Sequence, residues 1–232
     1  MERSLRLYER LKANRLIALL SPRSAGQCLA AYETLEPSGA VLEVAFRTPA
    51  ALEGLELIVD RHPEALVLAG TVMTEDQARR AIAAGAAGVV SADYVAPVIE
   101  ACARADIMAV PGGLADCGKQ LAQKAALYGC GPAELREKHP YQWIYKLFPA
   151  ATESLVFSEL AAAWRGPFPG LTVIHTGGVS LKNLARLAAI DPEGVFCGSA
   201  LAAGIDRGPE AAAEIRAWKD VLARASKVNP VG

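Results

Sequence analysis

A lysine near the end of an apolar strand is the first residue in this chain with the makings of chemistry. The stretch 141–150, Tyr-Gln-Trp-Ile-Tyr-Lys-Leu-Phe-Pro-Ala, is rich in aromatic and β-branched residues, which favour strands. Pro149 closes it, because a central strand does not accept proline. Lys146 therefore sits just inside the C-terminal end of a strand, and lysine is almost never fully buried unless paired. Desolvation favours a neutral amine, and a neutral amine is the nucleophile that forms Schiff bases with carbonyl compounds. The alternative is that the aliphatic stem lies along apolar surface while the ammonium reaches solvent. Position alone does not choose between them.

Other strand ends carry groups of matching chemistry. Glu43 lies between Leu42 and Val44 in a second apolar run, with Arg47 and Thr48 just beyond. A lone carboxylate there is costly unless paired or used. It is either a proton-transfer group or half of an ion pair with Arg47 or Lys146. Thr71 follows a third run and reads as a binding hydroxyl or as a turn or capping residue. Thr176-Gly177-Gly178 and Gly198-Ser199 close two more. Glycines at such ends let backbone N–H groups approach an anion, as in the phosphate sites of α/β barrels. A plain turn also needs glycine.

The elements that must position these groups alternate in type. A leading amphipathic helix is expected over 1–13. Strands are expected at 16–20, 40–45, 65–69, 88–91, 107–110, 141–150, 171–175 and 195–197. Helical segments are expected at 23–35, 49–61, from Thr74 (with Gln77 closing a capping box), 95–104, 153–164, from Ser180, and 207–225. Strands separated by helical crossovers imply a parallel sheet. Eight of them in this length match a single (β/α)8 TIM barrel spanning 1–232, with an extended loop or helix segment at 112–140. An open doubly wound sheet would also alternate, but the first turn lacks the G-x-G-x-x-G fingerprint.

Composition narrows the function classes. The 232 residues are 52% hydrophobic, enough for a sizeable core, and 24 Lys+Arg nearly cancel 25 Asp+Glu. No basic run stands out, so neither nucleic acid nor a membrane surface is the expected partner. The first ten residues alternate charge with apolar side chains, unlike a signal peptide. Five scattered cysteines (Cys28, Cys102, Cys117, Cys130, Cys197) form no C-x-x-C, and no histidine pair has ligand spacing. They read as buried thiols in a reducing cytoplasm, with no metal and no cofactor expected.

Five motifs recur in order and at suitable distances: Leu42-Glu-Val-Ala-Phe-Arg-Thr48, Ala69-Gly-Thr-Val72, Lys146-Leu-Phe-Pro-Ala150, Gly166-Pro-Phe-Pro169 and Thr176-Gly-Gly-Val-Ser180. Together they resemble the 2-keto-3-deoxy-6-phosphogluconate / 2-keto-4-hydroxyglutarate aldolase family, over about residues 14–203. The resemblance implies a class I, Schiff-base aldolase on a TIM barrel. It would split a 2-keto-3-deoxy or 2-keto-4-hydroxy acid into pyruvate and an aldehyde, as a homotrimer in Entner–Doudoroff-type carbohydrate metabolism. It assigns Lys146 to the Schiff base and Glu43 to proton shuttling through water. Arg47 and Thr71 fall to the pyruvyl carboxylate, Phe148 to the pocket wall, and Gly177, Gly178 and Ser199 to the distal phosphate or polar group.

The departures lie in the distal half. Ser21 stands where members often carry a basic residue, Ala92-Asp93 where Pro-Gly is usual, and Ala151 where Glu is usual. They leave the aldehyde half open, phosphorylated or not. His139 and His175 read as structural, since nothing in the sequence pairs them with a nucleophile. The other class of function is a phosphometabolite-binding barrel, an isomerase or a non-catalytic sensor, in which Lys146 acts only as a charge.

Overall fold

The computed structural model of the protein describes residues 2–203 and 209–228. Its strands are β1 (Leu16–Leu20), β2 (Val41–Ala45), β3 (Leu68–Gly70), β4 (Gly88–Val90), β5 (Met108–Val110), β6 (Gly112–Gly113), β7 (Ile144–Leu147), β8 (Thr172–Thr176) and β9 (Val195–Gly198). They form one sheet in the order β5-β4-β3-β2-β1-β9-β8-β7-β6, and the pairs are parallel. β5 and β6, at the two ends of that order, are halves of one strand broken at Pro111, which has no N–H for a ladder. The sheet therefore closes on itself as the expected (β/α)8 barrel.

The helices are α1 (Glu2–Asn14), α2 (Ala25–Leu35), α3 (Ala50–Arg61), α4 (Glu75–Ala83), α5 (Ala96–Arg104), α6 (Cys117–Leu127), α7 (Pro132–Lys138), α8 (Glu159–Trp164), α9 (Leu181–Ile190), α10 (Ala200–Ala203) and α11 (Pro209–Val228). Residues 207–208 of the last expected helix lie outside the described residues. Strand alternation sends Ile17, Val41, Leu68, Val90, Ile144, Ile174 and Val195 into the barrel. Leu7, Tyr8 and Leu11 of α1 join them and close the N-terminal end. Ser4 Oγ there donates to Ala87 O (2.8 Å) and accepts from Met108 N (2.9 Å), and Thr172 Oγ1 donates to Tyr8 OH (3.1 Å). The opposite, C-terminal mouth is left to the functional residues.

Several boundaries move for local reasons. The third strand begins at Leu68 rather than 65, because Ala65 N turns back to His62 O (2.9 Å). The strand expected over 141–150 shortens to β7. A 3-10 turn occupies Pro140–Gln142, and past β7 the Phe148–Pro149 peptide is cis and Ala150 N bonds Thr176 O at 2.7 Å. The helix expected from 153 begins only at Glu159. Before it, Thr152 N bonds Leu155 O (2.8 Å) and Ala151 bridges Val156 in antiparallel fashion. Thr74 caps α4 as expected, but Gln77 Oε1 accepts from Met73 N (2.8 Å) rather than completing a box on Thr74.

Of the two forms expected for the 112–140 segment, loop or helix, it is mostly helix. It supplies β6, α6 and α7, and α6 packs Cys117, Leu121 and Ala125 on the outer face of β7 against Trp143, Tyr145 and Leu147. A second, polar stripe on α6 recurs every four residues, which places it on one helix face. Asp116 Oδ1 accepts from Tyr145 OH (2.8 Å), and Gln120 Nε2 donates to Gly112 O (2.9 Å). Lys124 Nζ donates to Gln142 O (3.0 Å) and Ile144 O (2.9 Å), and Tyr128 OH accepts from Gln142 Nε2 (2.9 Å). Gln142 also takes Ala109 N (3.2 Å) and gives to Ile107 O (2.8 Å). These side chains stitch the seam between β5 and β7, where no backbone ladder runs among the described residues.

Candidate active site

Lys146 points into the barrel from β7, one pleat above Ile144. Its side chain is buried (7% exposed), so the reading in which the ammonium merely reaches solvent does not hold. Nζ donates to Ser91 O at the end of β4 (2.9 Å). The Phe148 ring lies 5.3 Å from Nζ and is itself half exposed.

Glu43 is buried on β2, opposite Leu19 of β1 and Leu68 of β3. Neither Lys146 nor Arg47 reaches ion-pair contact with its carboxylate. The structural ion pair allowed by the sequence is thus not formed. Burial pushes the Glu43 carboxyl above its ordinary range, and Lys146, the Cys197 thiol and Arg47 pull it back only in part. A buried carboxyl with a raised pKa facing an amine is suited to trade protons with a bound substrate, which is what general acid–base work requires.

Arg47 is exposed just past β2, with Nη1 3.4 Å from Ser21 Oγ at the end of β1. Thr71 follows β3 with φ +57°, a left-handed conformation unusual for a β-branched residue. Such strain costs about 1–3 kcal/mol and persists only where the surroundings impose it. Here Phe46 N bonds Gly70 O (2.7 Å) and Val72 N bonds Val90 O (3.0 Å) on either side. In a parallel barrel Lys146, Glu43, Arg47 and Thr71 all stand at the C-terminal mouth.

A family model for KDPG and KHG aldolases matches residues 7–129. The chain belongs to the KDPG and KHG aldolase family. The 2-dehydro-3-deoxy-phosphogluconate aldolase of Haemophilus influenzae is 26% identical over 193 residues, covering 83% of this chain and 82% of that protein. The corresponding enzyme of Dickeya dadantii is 34% identical over 157 residues, 68% of this chain and 65% of its own. A KDPG aldolase from Legionella pneumophila, solved with pyruvate captured at low pH as a covalent carbinolamine intermediate, superposes with a TM-score of 0.67 at 25% identity. That match covers 96% of this chain and 97% of the other. Residues 7–129 carry Glu43, Arg47 and Thr71 but not Lys146.

The remaining members of the expected set have mixed explanations. Thr176 is buried at the end of β8. Gly177 (φ +81°) and Gly178 (φ +76°) are left-handed, and a Cβ would meet Phe148 at 2.9 Å on the first and Ala151 O at 2.1 Å on the second. Packing against the loop after β7 therefore requires both glycines whatever they bind. A Cβ on Gly198 would lie 2.4 Å from Trp218 of α11, so its missing side chain serves helix packing. Ser199 is exposed at the mouth. Asp93, one of the departures noted in the sequence, is a turn former: its Oδ1 accepts from Tyr94 N and its carbonyl from Ser91 Oγ, both at 2.7 Å.

Both histidines sit in structural surroundings, in keeping with the sequence reading. His139 precedes β7 at the closed end of the barrel, against Tyr128 and Tyr141. His175 faces outward, fully buried, and does have a nucleophile-type neighbour: Nδ1 lies 2.9 Å from Ser158 Oγ and Nε2 2.8 Å from Asp191 Oδ2. Arg165 pairs with Asp191 from the far side. Although burial opposes it, the His175 and Arg165 contacts hold Asp191 below the usual carboxylate range. Ser158 and His175 have no solvent exposure and Asp191 is also buried, so this row ties α8 to β8.

Sequence reasoning missed two participants. Ser91 acts through its carbonyl, which no side-chain pattern announces. Cys197 faces inward from β9 with Sγ 3.7 Å from Glu43 Oε2, and only strand alternation with Val195 could have flagged it. Among the described residues no cluster of His, Cys, Asp and Glu has the makings of a metal site, and no helix is long and apolar enough to cross a membrane.

Proposed function

We propose that the protein is a class I aldolase that cleaves a 2-keto-3-deoxy or 2-keto-4-hydroxy acid, such as 2-dehydro-3-deoxy-6-phosphogluconate or 4-hydroxy-2-oxoglutarate, into pyruvate and an aldehyde. The observation that carries this reading is the pairing of a buried lysine amine, aligned by Ser91 O at 2.9 Å, with a buried carboxyl whose pKa is raised. Family membership supports it.

The amine of Lys146 adds to the C2 ketone, and loss of water from the carbinolamine gives an iminium. Glu43, through water, takes the proton of the C4 hydroxyl. The C3–C4 bond then breaks, with its electron pair drawn into the iminium, and the aldehyde leaves. The resulting enamine takes a proton at C3, and water releases pyruvate. Arg47, with a fork suited to a carboxylate, and the Thr71 hydroxyl hold the pyruvyl carboxylate. Gly177, Gly178 and Ser199 hold the distal group, and Phe148 walls the pocket. A cytoplasmic homotrimer working in Entner–Doudoroff-type sugar-acid breakdown completes the reading.

The test is a panel of phosphorylated and unphosphorylated 2-keto acids assayed for pyruvate release. Release from at least one that disappears in Lys146→Ala is the expected result. Thermal stabilisation by a sugar phosphate, with no pyruvate from any member, would favour the binding or isomerase barrel instead.

A further inference from the structure

Glu43 has an unusual set of neighbours. Its register partners are Leu19 on β1 and Leu68 on β3, and its carboxylate lies against the backbone of Gly70. A Cβ on Gly70 would lie 2.2 Å from Glu43 Oε1 and 2.6 Å from its Cγ, so the carboxylate fills the space that this glycine leaves. The titratable groups that face it are Lys146 from β7, Arg47 from the loop after β2, and Cys197 from β9. Of these, only Cys197 comes within hydrogen-bonding distance, Sγ to Oε2 at 3.7 Å, and both side chains are buried. Thr176 of β8 is the register partner of Cys197 and lies beside it. A thiol is a weak donor, but in a water-poor interior a single donor counts for more than it would in solvent.

We propose that Cys197 is a positioning residue for the proton shuttle. Its S–H donates to Oε2 and, with Gly70 behind Oε1, fixes the Glu43 carboxylate facing the Lys146 amine. No bond to carbon is made or broken by the thiol, and it stays reduced throughout. This rests on the aldolase reading for its consequence in catalysis, but the contact with Glu43 is measurable without it.

The experiment compares wild type, Cys197→Ala and Cys197→Ser, with Glu43→Gln to assign the carboxyl band in an infrared pH titration. Removing a donor from a carboxylate raises its pKa. In Cys197→Ala the Glu43 midpoint is therefore expected to rise by about one pH unit, and Cys197→Ser, which restores a donor, returns it toward the wild-type value. In cleavage assays Cys197→Ala should lose about tenfold in kcat with KM little changed, and its acid limb should move up in pH with the infrared midpoint. Trapping of pyruvate on Lys146 should be unaffected. A Glu43 midpoint that stays put in folded Cys197→Ala overturns the proposal. Failure of wild type to trap pyruvate or to cleave any keto acid would instead sink the aldolase reading, and the infrared result would still decide the role of Cys197.

Discussion

At the scale of single residues, the site depends on a carboxyl kept out of water but not neutralised by an ion pair. Glu43→Gln retains the shape and removes the proton carrier. It should lower kcat for cleavage by roughly 100-fold or more, the usual worth of a positioned general acid–base, while leaving pyruvate trapping on Lys146 possible. Gly70→Ala tests the same carboxylate sterically. Its Cβ would overlap Oε1, so cleavage should fall at least tenfold in a protein that still melts cooperatively, and unchanged activity would mean that Glu43 is not placed as described. Much of this site was legible in the sequence because charge inside an apolar run is conspicuous: Lys146 and Glu43 announce themselves against Tyr145, Leu42 and Val44. Ser91 and Gly70 were not legible, since one contributes a carbonyl and the other an absence. Cys197 read only as a buried thiol, because nothing local shows that β9 lies within reach of β2 across β1.

At the scale of elements, the barrel wall is completed by side chains where its backbone ladder fails. Lys124 is the centre of that repair. Burial pushes its amine down to about 7, against the opposing pull of Cys117 and Cys102. A neutral amine has two N–H bonds, matching its two carbonyl acceptors, Gln142 O and Ile144 O. Lys124→Met should leave both carbonyls unsatisfied and cost about 3 kcal/mol, a Tm lower by roughly 10 °C in a chain of this size. The sign of the pH effect follows from the depressed pKa. Between about pH 7 and the ordinary lysine value near ~10.4, the unfolded chain holds a proton that the folded one does not. The contribution of Lys124 to stability is therefore full above that window and is lost as pH falls through it. Chemical denaturation at pH 7 and pH 9.5 should show a rise with pH in wild type that is smaller in Lys124→Met, and equal slopes would contradict the assignment. From sequence, the period-two and helical patterns found the strands and most helices. They left 112–140 open between loop and helix, because α6 is apolar on one face and hydrogen-bonded on another. They failed at 153–158, where the hydrogen bonds of Thr152 and Phe157 hold a turn against local helix propensity.

At the scale of the whole molecule, closure of one end by α1 and stitching of the seam by α6 leave a rigid frame with its chemistry at the open mouth. The proposed homotrimer is checked by light scattering of the purified protein: a mass of three chains is expected, and a monomer at micromolar concentration would remove it from the account. The central claim is the identity of the Schiff-base lysine. Incubation with pyruvate followed by borohydride, with intact-mass and peptide mass spectrometry, tests it most directly. One reduced pyruvyl group per chain is expected, located on Lys146 and absent from Lys146→Ala. An unmodified chain, or an adduct on Lys124 or any other lysine, would contradict the account.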